Sequence, residues 1–222
     1  MGAFKTLGEL QTATKRKEKS KDNLTPRYFS LKDGESFRIR FRQELAEDGS
    51  LFSDEVGTAE IVPVHTNPSD FRKSGVCTAN DPEYGYKCWA CEQIAGTEEG
   101  YKWKPKPHLV VNVAVLMTDE SGKQTWEPRI LDQKFSAQHI GSDVVEFASM
   151  NGSIMDRDYM FKRTGSGTDT QYKLLPLDAG DPDSSIADLE MHDVTSIYHA
   201  VPYAEQPGRY LGSDNDSGSG GW

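Results

Sequence analysis

Strict alternation begins at Ser36, where Phe37, Ile39 and Phe41 are apolar and Arg38, Arg40 and Arg42 are cationic. A two-residue period sends one set inward and the other outward, so this stretch predicts a half-buried strand with a positive outer face. Residues 58–65 read as a second strand. Residues 108–118 form the most continuous apolar run and predict a central strand, closed by Asp119-Glu120-Ser121-Gly122 as a turn into a further strand at 124–131. Between 137 and 150 the period changes, with Ile140, Val144, Phe147 and Ala148 at helical spacing, and predicts one amphipathic helix packed on the sheet. Residues 157–163 and 170–175 flank Gly165-Ser166-Gly167 as a second hairpin. Short strands, one helix and a long interruption between the second strand and the central one fit a mainly β domain, either a small barrel of the OB type or a sandwich.

The two ends break this pattern. Thr14-Lys15-Arg16-Lys17-Glu18-Lys19-Ser20-Lys21 carries five cations in eight positions and cannot be buried, so residues 1–30 read as an exposed basic arm. Beyond Pro176 the composition turns to Asp, Ser, Gly and Pro, and residues 179–222 read as an acidic and largely flexible region with a helical turn or two. Charge follows the same division. Residues 1–42 carry +6, residues 43–175 carry −8 and residues 176–222 carry −8, which together make the net −10 of the 222-residue chain. An acidic body means that any nucleic-acid contact relies on a localised basic groove. The N-terminus has no apolar signal segment and no run approaches a membrane span, so the expectation is a soluble protein without membrane contact, its thiols reduced.

The interruption carries the distinctive chemistry. All three cysteines, Cys77, Cys88 and Cys91, fall in fifteen positions, and His65 lies twelve before the first. His-x11-Cys-x10-Cys-x2-Cys supplies four nitrogen and thiolate donors, the number a structural zinc ion takes, and Cys-x2-Cys presents two of them from one tight knuckle. His108 is the alternative fourth donor. A redox pair is the other use of Cys-x2-Cys, but that motif opens a helix in a βαβ setting, and the residues around Trp89-Ala90 suggest no such setting. The same segment interleaves Tyr84, Tyr86, Trp89, Tyr101 and Trp103 with Lys87, Lys102, Lys104 and Lys106. Flat rings for stacking bases and cations for phosphates are the two components of a single-strand groove, although Trp89 is expected to pack inside the metal module.

On these residues the chain resembles the phage single-stranded DNA-binding proteins of the T-even type. The resemblance covers about residues 34 to 177. It rests on Ser-Phe-Arg-Ile-Arg-Phe, on the His/Cys/Cys/Cys cluster at nearly matching spacing, on the apolar strand and hairpin after it, and on residues 156–163 running into 165–172. It implies an OB-fold core over 31–178, with a zinc subdomain inserted at about 65–106 and single-stranded DNA in the cleft between them. It also implies one structural Zn2+ on His65, Cys77, Cys88 and Cys91, and a role in DNA replication, recombination and repair in the cytoplasm of an infected bacterium. Tyr84, Tyr101, Lys102, Trp103, Lys104 and Lys106 match the cleft segments. Arg38, Arg40, Tyr86, Lys87, Arg129, Tyr159, Phe161 and Arg163 complete the candidate DNA contacts. Lys15, Arg16 and Lys17 look like the family's motif for contact between neighbouring copies on DNA. Asp214, Asp216 and Trp222 resemble acidic, aromatic-tipped tails that reach replication proteins such as a polymerase or helicase.

Two other functions compete with this one. A zinc nucleobase deaminase also uses His and Cys-x2-Cys, but it needs His-x-Glu and a Pro before the first cysteine of the pair. Here Thr66-Asn67 follows His65, and Lys87 precedes Cys88. No Walker loop, Gly-x-Ser-x-Gly or two-metal acidic cluster is present either, so the chain reads as a binding protein and not an enzyme. A zinc-ribbon adaptor in a phage replication or transcription complex would use the metal and the tail but leave the lysine and aromatic interleaving idle.

Overall fold

The computed structural model describes residues 28–96, 98–136 and 138–212. The protein is mainly β. Its strands are β1 (Ser36–Phe41), β2 (Glu60–Asn67), β3 (Asp70–Val76), β4 (Lys106–Thr118), β5 (Gln124–Lys134), β6 (Arg157–Thr164) and β7 (Gln171–Ala179). The helices are α1 (Trp89–Gly96), α2 (Gly141–Asn151), α3 (Ser184–Ala187) and α4 (Gln206–Leu211), and a 3-10 turn covers Gly100–Trp103. Among the described residues, no helix is long and apolar enough to cross a membrane.

All seven strands form one antiparallel sheet in the order β3-β2-β4-β1-β6-β7, with β5 on the other edge of β4. The thirteen-residue β4 is the organising strand: β2 pairs with its first half, β1 with its second, and β5 with it from His108 to Thr118. The expected closed barrel is not reached. Tyr172 N–H on β7 donates to the Gln138 carbonyl just past β5 at 2.9 Å, but no ladder joins β7 to β5.

Parity sorts the two faces. Ile39 and Phe41 of β1 stand opposite Val115 and Val113 of β4, and Ile39 also stands opposite Tyr159 of β6. Cross-strand partners share a face, so Leu109, Val111, Val113, Val115, Leu131, Tyr159 and Phe161 join one core with Ile140 and Val144 beside α2. Helix α2 ends at Gly152, whose φ of 75° sits in the left-handed region and whose N–H donates to Ala148 O at 2.8 Å.

The opposite face carries Arg38, Arg40, Val110, Asn112, Ala114, Trp126 and Ile130. It does not lie open. The region read as largely flexible is instead, over residues 180–212, a strap laid along this face. Ile186 packs with Ala114 and Trp126, and Val194 and Ile197 pack with Val110 and Ile130. Asn112, in mid-strand, donates to the His192 carbonyl at 2.8 Å and accepts from the His192 N–H at 2.9 Å. Capping by Asp183 and Asp193, each accepting from the N–H two residues on, explains why so acidic a stretch turns and does not extend.

Candidate metal centre and the surface around it

The insertion leaves from β2 and returns on β4. Those strands pair with each other, Val64 opposite Lys106, so a forty-residue excursion costs the sheet little. His65 lies on β2 opposite Gly75 of β3, and Cys77 follows β3 with its N–H on Pro63 O at 2.8 Å. Strand β3 was not expected from sequence; Asp70–Val76 lacks the alternation of a half-buried strand because its one buried position is Gly75, which has no side chain to mark a buried face. Residues 78–87 close back through Thr78 Oγ1 on Lys87 O at 2.5 Å and Tyr86 N–H on Asp81 O at 3.0 Å. Gly85 and Tyr86 both take positive φ, 64° and 58°. Cys88 then precedes α1 and Cys91 is its third residue, so the pair does open a helix, contrary to the expectation. The sheet beside it is antiparallel, and the pair faces two further donors instead of standing alone.

Nε2 of His65 and the Sγ atoms of Cys77, Cys88 and Cys91 all lie within 4.8 Å of one another. Cys77 and Cys91 sulfurs are 3.5 Å apart, and His65 Nε2 is 3.4 Å from both Cys88 and Cys91. A tetrahedron with metal–sulfur bonds of ~2.3 Å and a metal–nitrogen bond of ~2.0 Å has edges of about 3.8 and 3.5 Å. The four donors are therefore close enough to hold a metal ion. His65 Nδ1 meets the Trp103 carbonyl at 2.5 Å; a carbonyl only accepts, so the proton sits on Nδ1 and Nε2 offers its lone pair to the metal. Hydrogen bonding from Cys77 holds the Cys88 thiol low, while its bond to Cys88 and burial push Cys77 up, and burial raises Cys91. Three thiolates in this space repel one another, and a dication removes that repulsion. His108, the alternative donor, lies elsewhere, bonded to Asp132 and Tyr198.

Around the donors stands an aromatic wall. Trp89 and Tyr210 stack at 5.9 Å and 19°, and Trp103 meets both edge-on at 5.6 Å. Tyr210 also meets the His65 ring edge-on at 6.3 Å. It arrives on α4 from the strap, which is tied down by Gln206 Oε1 accepting from Trp89 N–H at 2.8 Å and Gln206 Nε2 donating to Thr78 Oγ1 at 2.9 Å. Gly75 makes room for it: a Cβ there would sit 2.9 Å from the Tyr210 hydroxyl. No sequence signal near the cysteines pointed to Gln206 or Tyr210.

The candidate DNA-contact residues divide sharply. Tyr86 and Tyr101 are exposed, 65% and 61%, as are Lys87, Lys104 and Lys106; Lys102 is exposed but paired with Glu99 at 2.8 Å. Phe71, at 82%, is the most exposed aromatic ring described and was missed, though Arg72-Lys73 beside it repeats the ring and cation interleaving. Tyr84 is half-buried, its hydroxyl on Ala200 O at 3.4 Å. Trp103 is part of the module's interior wall.

Four expected contacts are structural instead. Tyr159 and Phe161 are wholly buried because they share the parity of Ile39 and Phe37. Arg40 is buried, with Nη1 on Asp158 at 3.2 Å and Nη2 on the Met155 and Gly180 carbonyls at 2.6 and 2.8 Å. Arg163 donates to Leu31 O at 2.6 Å and lies over the Tyr172 ring. Arg38 is half-exposed but held by Asp158 at 2.5 Å, and Arg129 pairs with Glu127. Lys15, Arg16, Lys17, Asp214, Asp216 and Trp222 lie outside the described residues. Comparison with protein-family models, curated proteins and solved structures returns no match.

Proposed function

We propose that this chain binds single-stranded DNA without strong sequence preference, in the manner of the zinc-containing phage single-strand binders it resembles, and protects it during replication, recombination and repair in the infected cell. The observation that carries this reading is where the exposed rings sit. Among the described residues the exposed aromatics are Phe71, Tyr86 and Tyr101, and all three belong to the metal module, with Lys87, Lys104 and Lys106. A soluble domain gains nothing in stability from rings in water, whereas a base stacked on one contributes about 1–3 kcal/mol whatever its identity. Tyr86 also holds a positive φ, a cost its exposed ring does not offset.

The metal in this reading is zinc. Three thiolates and an imidazole suit a borderline-soft ion, and four protein donors leave no position for water, so its role is structural. An adaptor function would leave the exposed rings and lysines without work. The test is a fluorescence titration with oligodeoxythymidine. Single strands should bind more tightly than duplex of equal length, and affinity should fall as salt rises. Tyr101→Ala or Phe71→Ala should each weaken binding by about 5- to 150-fold on any sequence. Duplex binding as tight as single-strand binding, or indifference to salt, would sink the proposal.

A further inference from the structure

We propose that Lys106 and Lys134 together seat one backbone phosphodiester of the bound strand, at the end of the sheet beside the metal module. This rests on the single-strand reading and goes further by giving the strand a fixed point on the sheet itself. In the β4–β5 register His108 stands opposite Lys134, and Lys106 is two residues before His108. The two-residue period puts Lys106, His108, Asp132 and Lys134 on one face, with the two lysines as diagonal neighbours.

One carboxylate, Asp132, shares this face with the two lysines. Both its oxygens are engaged by other groups: Oδ1 faces His108 Nδ1 at 2.8 Å and Oδ2 accepts from the Tyr198 hydroxyl at 2.5 Å. Among the described residues neither lysine has an ion-pair partner, unlike Lys102 with Glu99 and Arg38 with Asp158. Lys134 is half-buried, and burial together with the charge of Lys106 holds its ammonium below the ordinary value although Asp132 acts in the opposite direction. His139 is likewise held low, first by burial and then by Lys134. Two like charges in a partly desolvated corner are unfavourable until an anion joins them. A phosphodiester brings one negative charge and two free oxygens, one for each ammonium. The competing account is that Lys134 only covers the sheet end with its aliphatic stem. Methionine keeps that stem and removes the charge, so it separates the two.

The experiment measures oligodeoxythymidine affinity against salt for the wild type, Lys106→Met, Lys134→Met and the double variant, with Lys123→Met, on the turn at the far end of the same strands, as control. The double variant should lower the slope of log K against log salt by about 0.7, the value for one phosphate on a single strand, and weaken binding several-fold at low salt. Lys123→Met should change neither. A double variant with wild-type slope and affinity overturns the seat while single-strand binding stands. If the wild type binds no oligonucleotide, the function proposed above fails and pyrophosphate decides the seat. A rise in unfolding temperature with pyrophosphate that the double variant loses would keep it, and an equal response in both would overturn it.

Discussion

The sheet and the metal module are held together by different physics. Among the described residues, sixteen buried apolar side chains form the core between the sheet and α2, whereas the module's own cluster has three, Cys88, Ala90 and Tyr210. At ~1.5–3 kcal/mol for each large side chain, the first can offset the entropy of ordering its chain and the second cannot. Of the module's three, one is a candidate ligand and one is lent by the strap. The module thus draws on two things that are not apolar burial, a donor cluster close enough to hold a metal ion and a segment more than a hundred residues away in sequence. The lesson is that a region freed from packing a core can leave its rings exposed to solvent, as Phe71, Tyr86 and Tyr101 are.

If the cluster holds the proposed zinc, chelating it is the largest break in that comparison. Structural zinc contributes on the order of 10 kcal/mol to small sites near neutral pH. Chelation should therefore unfold the module, read by the fluorescence of Trp89 and Trp103, while far-UV circular dichroism of the sheet persists to a separate, higher transition. Acid should do the same, because protons compete for thiolates and imidazole. One transition that the chelator leaves in place would mean the module stands without metal.

Next comes the core. Phe161→Ala should lower global stability by about 3–5 kcal/mol in denaturant melts, yet leave one metal per chain, since Phe161 lies under the sheet and not at the cysteines. Parallel loss of metal would show that the two regions share one cooperative unit. The smallest effect sharpens the role of the strap. The Tyr210 hydroxyl is buried and, among the described residues, has no hydrogen-bond partner. Tyr210→Phe removes an unpaid desolvation cost, so it should be neutral or stabilising by roughly 1 kcal/mol, with the ring stacking and metal content unchanged. A loss of several kcal/mol would reveal a partner for that hydroxyl.

Local rules sufficed for much of this molecule. Alternation in Ser36–Phe41, the apolar run of β4 and the helical spacing of Ile140, Val144 and Phe147 each follow from a face that one element must bury. The cluster of His65, Cys77, Cys88 and Cys91 was legible because its spacing supplies the donor number a structural metal takes, and the structure brings those four close enough to hold an ion. What local pattern could not settle is what covers the second face of the sheet. Arg40 reads as a solvent-facing cation from its neighbours. It is buried because Gly180, a hundred and forty residues on, lays a carbonyl against its guanidinium. The same strap takes Tyr210 to His65 and places Asn112 under His192. Its own sequence is polar enough to read as unstructured, since it buries scattered side chains, Ile186, Val194, Ile197, Gln206 and Tyr210, and satisfies its backbone through Asp caps and distant side chains. Periodicity reports what an element buries along its own length, and a strap that docks at isolated points has no period to show; only the assembled sheet, offering those points at the right separations, decides where it lies.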